Sequence, residues 1–200
     1  MSVVVLNIEE EKMYSDTAVS FGSVDVARYK KTMHVTHGGY QLLMGGVGIP
    51  EAIDVMQTVA LTAIERIDEQ GIEPGTLPSL AAMGDTGTYT SARDMINTIF
   101  DKTKQASDLL ILAKHIKTSK VYVGVMNDSA LIQWNAQPVL GDNCMVIGSV
   151  ECVTAWNATD RSSGMYSRLS ALQRVVQFLK SPNEFIVMDI NGKTDTYIPD

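Results

Sequence analysis

Apolar and polar positions divide the chain into blocks of two kinds. Ser2 to Ile8 is β-rich and almost wholly apolar, and Glu9-Glu10-Glu11 makes a charged turn before a second β-rich stretch, Lys12 to Ser20. These two read as a hairpin. Phe21 to Ala27 contains Gly22 and reads as a loop. Arg28 to Val35 and Tyr40 to Gly45 flank His37-Gly38-Gly39, a second hairpin with a glycine turn. The period then changes. Ile53, Met56, Val59, Ala60, Ala63, Ile64 and Ile67 fall at helical spacing, and Gly71 and Pro74 end the run.

The connection at 71–90 is rich in Gly, Pro, Ser and Thr and reads as an inserted loop. Ser91 is a candidate cap for a second, long helix running to Lys117, with Met95, Ile99, Leu109, Leu110, Leu112, Ala113 and Ile116 on its apolar face and a candidate break near Thr103–Ser107. Strands resume at 120–126, 130–134 and 144–149. Helices follow at 150–158 and from Ser162 or Ser163 to Lys180, and a closing hairpin, 184–190 and 194–198, turns at Asn191-Gly192. Blocks of antiparallel strands alternating with helix pairs predict an α+β fold: two stacked sheets with helices outside, a four-layer αββα sandwich in one domain spanning 1–200.

Composition narrows the function. A net charge of −7 argues against a nucleic-acid backbone as main partner. No apolar run approaches membrane length. Two cysteines, Cys144 and Cys152, make a disulfide framework improbable and favour a reducing, cytoplasmic setting with both as core thiols. His34, His37 and His115 lack companions at metal-ligand spacing, so no metal or other cofactor is expected.

The candidate chemistry sits in the first forty-eight residues. Gly45-Gly46-Val47-Gly48 reads as a strand–turn–helix junction where backbone N–H groups can face a ligand. Upstream lie Ser2, Asp16 and the Lys30-Lys31 pair. In a strand the two lysines point to opposite faces, so at most one serves a site.

This element order, with these motifs, resembles the proteasome β-subunit family, most closely the bacterial peptidase HslV, whose fold is that of N-terminal nucleophile hydrolases. Removal of Met1 leaves Ser2 where the family has its nucleophilic threonine. Ser15-Asp16 matches the family's Gly-Asp, and Lys31 its functional lysine. Met44-Gly45-Gly46-Val47-Gly48 matches its Ala-Gly-x-x-Gly, with Gly45 at the oxyanion-hole position. Ser20 falls at the substrate-pairing threonine, and Gly148-Ser149 resembles the Gly-Ser turn beside the nucleophile. The resemblance implies catalytic roles for Ser2, Asp16, Lys31 and Gly45, substrate contacts at Ser20, Gly46, Gly48 and Ser149, peptide or protein substrates, and a ring-like homo-oligomer. The chain departs from the family in its serine nucleophile, in Ser15, in Ser181-Pro182-Asn183-Glu184 where an Asp-x-x-Ser/Thr segment is expected, and in the 71–90 loop, which argues against docking of a separate ATPase ring. Two readings stay open at this point: a peptidase acting through Ser2, or a catalytically silent interaction or small-ligand-binding protein.

Overall fold

The structure, a computed structural model, describes residues 2–21, 24–28, 30–177 and 185–197, with the side chains of 18–28 and 175–177 outside the description. The Ser181–Glu184 segment singled out above lies outside the described residues.

The first sheet has the order β10-β1-β2-β11-β12, formed by Val3–Asn7 (β1), Lys12–Asp16 (β2), Cys144–Gly148 (β10), Phe185–Asp189 (β11) and Thr194–Tyr197 (β12). The second has the order β5-β6-β7-β8-β9, formed by Thr32–His37 (β5), Tyr40–Val47 (β6), Asp108–His115 (β7), Val121–Met126 (β8) and Ile132–Trp134 (β9). Every pairing is antiparallel. Helices Pro50–Gln70 (α1) and Thr86–Thr103 (α2) belong to the second sheet's outer layer; Val150–Asn157 (α3) and Met165–Gln177 (α4) belong to the first's. The expected α+β sandwich is what the chain forms.

Three apolar clusters fill the three spaces between four layers. One joins α1 and α2 to β6 and β7, one joins α3 and α4 to β1, β2 and β11, and the middle one lies between the sheets. Strand alternation explains why β1 reads as an unbroken apolar run. Val3 and Val5 face the helices while Val4 and Leu6 face the other sheet, so both faces are buried.

Four expectations need correction. Residues 108–115 are a central strand and not the end of a long helix. Leu109, Ile111 and Ala113 face the helices and Leu110 and Leu112 face the first sheet. A run buried on both sides carries no period to separate strand from helix. The break is made at Lys104, which takes a left-handed conformation and donates its N–H to Phe100 O. Second, α2 starts at Thr86, capped by Asp85, whose carboxylate accepts the Thr88 N–H at 3.1 Å; Ser91 lies inside the helix. Third, the stretch expected as one strand over 12–20 breaks after Asp16, and Ala18–Phe21 (β3) pairs with Val24–Arg28 (β4) as a separate two-stranded ladder where a loop was expected. Fourth, the strand expected over 28–35 is found at Thr32–His37, in the second sheet, and leaves Lys30 and Lys31 ahead of it.

The 71–85 connection is anchored to the core. Leu80 and Met83 are buried against α1, and Gln70 Nε2 donates to Met83 O at 2.9 Å. Among the described residues no helix is long and apolar enough to cross a membrane.

Candidate functional site

The first residues of the chain are held from both sides. Val3 pairs with Gly148 of β10, and the Ser149 N–H donates to Ser2 O at 3.0 Å. On the other side the Val3 N–H donates to Asp16 Oδ1 at 2.8 Å. Asp16 ends β2, and its second oxygen accepts from the Lys31 ammonium in a buried ion pair. Lys31 precedes β5 in the other sheet, so this pair ties the two sheets together beside Ser2. Lys30, likewise outside a strand, is exposed while Lys31 is buried. Burial pulls the Lys31 ammonium below its ordinary pKa, and the Asp16 charge acts in the opposite direction.

The glycines do something other than make a turn. Gly45 and Gly46 lie inside β6, paired with β5 and β7. A Cβ on Gly45 would lie 2.7 Å from Val4 Cγ1, and one on Gly46 would lie 2.5 Å from Ile53 Cγ2. The pair therefore lets the opposite sheet and α1 approach one strand from its two faces. The turn itself is at Gly48, with φ of +115°. The Gly46 N–H, on the β5 side of the strand, donates to Lys31 O at 3.0 Å.

Ser149 caps α3, its hydroxyl accepting from the Cys152 N–H at 3.4 Å, while its own N–H holds Ser2. Ser20 falls within β3, opposite Asp25 of β4; its side chain is outside the description. The structure thus gathers Ser2, Asp16, Lys31, Gly45, Gly46 and Ser149 at one end of the sandwich, with Gly48 two residues further along. Among the described residues no group of His, Cys, Asp and Glu is arranged to hold a metal ion.

Gly148 sets where Ser2 lies. A Cβ there would stand 2.5 Å from Ser2 O and 3.0 Å from Val3 Cα, both backbone atoms. Gly148→Ala is expected to cost about 1–3 kcal/mol through this overpacking, read as a lower midpoint in urea unfolding at unchanged slope. A midpoint equal to wild type would show that Ser2 has room to move.

Sequence reasoning missed Thr17, Thr32 and Ser107 here, and named Ser15 and the two core thiols without their surroundings. Ser15, Thr17 and Thr32 are buried next to Asp16 or Lys31 in the chain, and their hydroxyls find no hydrogen-bond partner among the described residues. Cys152, fully buried at the start of α3, has its thiol pKa raised by burial, with the Asp16 charge also raising it. Burial likewise pushes the Cys144 thiol up to about 12, so both cysteines are core thiols. Ser107 lies against Gly48 and accepts the Ile49 N–H. No spacing in the sequence announces Ser107, because its partner Ile49 comes from a distant element.

No protein-family model and no curated protein sequence matches the chain. Solved structures do. The Anbu (Gly-1) mutant from Hyphomicrobium sp. strain MC1 matches with a TM-score of 0.62 at 13% identity, covering 100% of this chain and 87% of that one. Anbu from Yersinia bercovieri, described as an ancestral β-subunit, matches with 0.60 at 12% identity, covering 100% and 88%. A second Anbu structure from the Hyphomicrobium strain gives 0.55 at 11% identity, again covering 100% and 88%. At identities this low the matches show a shared fold alone. They also correct the sequence resemblance: these matches are Anbu proteins, no proteasome or HslV family model recognises the chain, and assignment to an HslV-like family is withdrawn.

Proposed function

We propose that this chain is an amide hydrolase acting on peptide bonds through the Ser2 hydroxyl, exposed by removal of Met1. The observation that carries the reading is the buried Lys31–Asp16 pair fastened to the Val3 N–H. Placing two charges in a core is costly unless each is well paired, and this pair sits one residue from the proposed nucleophile.

The chemistry follows from the groups present. A hydroxyl needs a base to accept its proton. The α-amine of Ser2, with a reference pKa of about 8, is partly neutral near pH 7, and the Lys31 ammonium beside it favours the neutral form. In the first step Ser2 Oγ bonds to the substrate carbonyl carbon and its proton passes to the amine. The carbonyl oxygen becomes an oxyanion facing the Gly45–Gly46 backbone. Collapse breaks the C–N bond, the amine's acquired proton leaves with the departing amine, and water releases the acyl group from Ser2 by the same steps reversed. Hydrogen-bond donors aimed at an oxyanion are a large catalytic term. The Gly46 N–H already donates to Lys31 O, so an oxyanion must displace that carbonyl to use it.

That occupied donor favours one alternative, a catalytically silent protein that keeps the fold for interaction. Intact mass spectrometry of the expressed protein, followed by a panel of peptide epoxyketones, separates the two. These reagents couple to a hydroxyl and an α-amine on the same residue. A Ser2 terminus carrying one adduct is the expected result. A verified Ser2 terminus that takes no adduct, or protein that retains Met1, overturns the hydrolase reading in favour of the silent one.

A further inference from the structure

We infer that Ser107, held by Asp128, is a positioning residue for the Gly45–Ile49 backbone, fixing the segment that receives the substrate's carbonyl oxygen. This rests on the reading of Ser2 as nucleophile. Helix α1 begins with no side-chain cap of its own: Ile49 stands at the N-cap, where an apolar side chain cannot accept a backbone N–H. The N-cap residue is fixed by a different contact, from 58 residues away, where Ser107 Oγ accepts the N–H of Ile49 itself at 3.0 Å. Ser107 is 1% exposed. It is pressed against Gly48, at which a Cβ would fall 2.4 Å from Ser107 Oγ and 2.7 Å from Ala106 O. Its own N–H donates to Asp128 Oδ1 at 3.1 Å.

The consequence is local. Gly46 is pinned on one side by Lys31 O, and Gly48–Ile49 is pinned on the other by Ser107. The end of β6 and its junction with α1 are thus held at two points. Gly48, with its positive φ, is the soft point of this segment, and Ser107 is what stops it. A donor misplaced by a fraction of an ångström loses most of its effect on an oxyanion, while the ground-state complex barely changes.

Asp128 is the residue to change, because it is half-buried in the 127–130 turn and its substitution keeps the Ser107 hydroxyl in the chain while removing what holds it. It also faces Asp108, whose carboxyl pKa is raised by burial and by the Asp128 charge. Asp128→Asn keeps an oxygen acceptor and removes the charge, whereas Asp128→Ala removes both. The measurement is the rate of epoxyketone labelling of protein with a verified Ser2 terminus, resolved into kinact and KI, together with the melting temperature. In Asp128→Ala, kinact is expected to fall about ten-fold with KI within about two-fold of wild type, and Asp128→Asn to return kinact to near the wild-type value. Wild-type kinact in Asp128→Ala, or equal loss in both variants, overturns the inference and leaves the hydrolase reading standing. A melting temperature lowered by more than about 4 °C with unchanged kinact per folded molecule assigns Asp128 to stability alone and also overturns it. Wild-type protein that takes no label removes the hydrolase reading and this inference together.

Discussion

Ser2→Ala is expected to remove turnover of a fluorogenic peptide, by about 10³-fold or more, and to leave the melting temperature unchanged, whereas Lys31→Met should lose both. The contrast comes from what each side chain supports. Ser2 is held through its backbone oxygen, which alanine retains, and its side chain is only half-buried. Lys31 is 5% exposed, and its ammonium lies against an Asp16 carboxylate that is 1% exposed. Methionine fills the volume of the lysine stem but takes the cation away from a buried carboxylate. Breaking a buried pair from one side costs about 3–5 kcal/mol. On the hydrolase reading the α-amine also loses the neighbour that keeps it neutral, so rate falls by orders of magnitude in whatever fraction remains folded. Urea unfolding and labelling of the folded fraction measure the two losses separately. A Lys31→Met protein as stable as wild type would mean that the ion pair contributes nothing to the fold. One that labels at the wild-type rate would remove Lys31 from the chemistry.

The second large effect lies at the other outer layer. Arg168 of α4 donates through Nη1 and Nη2 to both oxygens of Asp142, at 2.8 and 2.6 Å, and through Nε to Thr159 Oγ1 at 3.0 Å. Its guanidinium lies over the Trp156 ring, 3.8 Å from the centroid. The two charged side chains are 3% and 5% exposed. Arg168→Leu should cost about 3–5 kcal/mol at pH 7, since it takes the guanidinium away from a nearly buried carboxylate that keeps the Cys144 N–H. The pH dependence has a definite sign. The hydrogen bonds from Arg168 hold the Asp142 carboxyl below its ordinary range. A depressed carboxyl stabilises the folded state above its unfolded pKa of about 3.9, and that contribution is lost as pH falls through the folded value. Wild type should therefore lose stability on acidification below about pH 4, and the difference between wild type and Arg168→Leu should shrink with it. A difference as large at pH 3 as at pH 7 would show that the guanidinium acts by packing on Trp156 and not by charge.

Much of this architecture could be read from residues close in sequence. Helix α1 shows itself by period, by Pro50 at its start and by Gly71 at its end, where the Ile72 N–H closes back on Ile67 O at 3.1 Å. The hairpin at Asn191-Gly192 and the β1–β2 pairing are equally local. Strand β7 was not legible, because Leu109–Ala113 is buried on both faces and its pattern fits a helix as well. The glycines were visible but their purpose was not. Gly45 and Gly46 looked like a turn, and only the arrival of Val4 and Ile53 on opposite faces of β6 shows that they make room. In the candidate site, Asp16 and Lys31 carried a pattern in the sequence. The Ser107–Asp128 and Arg168–Asp142 contacts did not, since each joins segments separated by more than twenty residues with no shared period.

The place of β1 between β10 and β2 has a consequence for biosynthesis. β1 must await β10 on one side, and β2 must await β11 on the other. At ordinary translation rates an interval on the order of ten seconds separates β1 from β11. For most of it Val3 to Leu6 has its hairpin with β2 but not β10, and to its end β2 lacks β11, so apolar faces that end fully buried are still in water. Long-range closure of this kind slows folding. A ribosome-bound chain stopped before residue 185 should therefore bind chaperone and be cut readily by protease, whereas the full-length chain, once released, resists both.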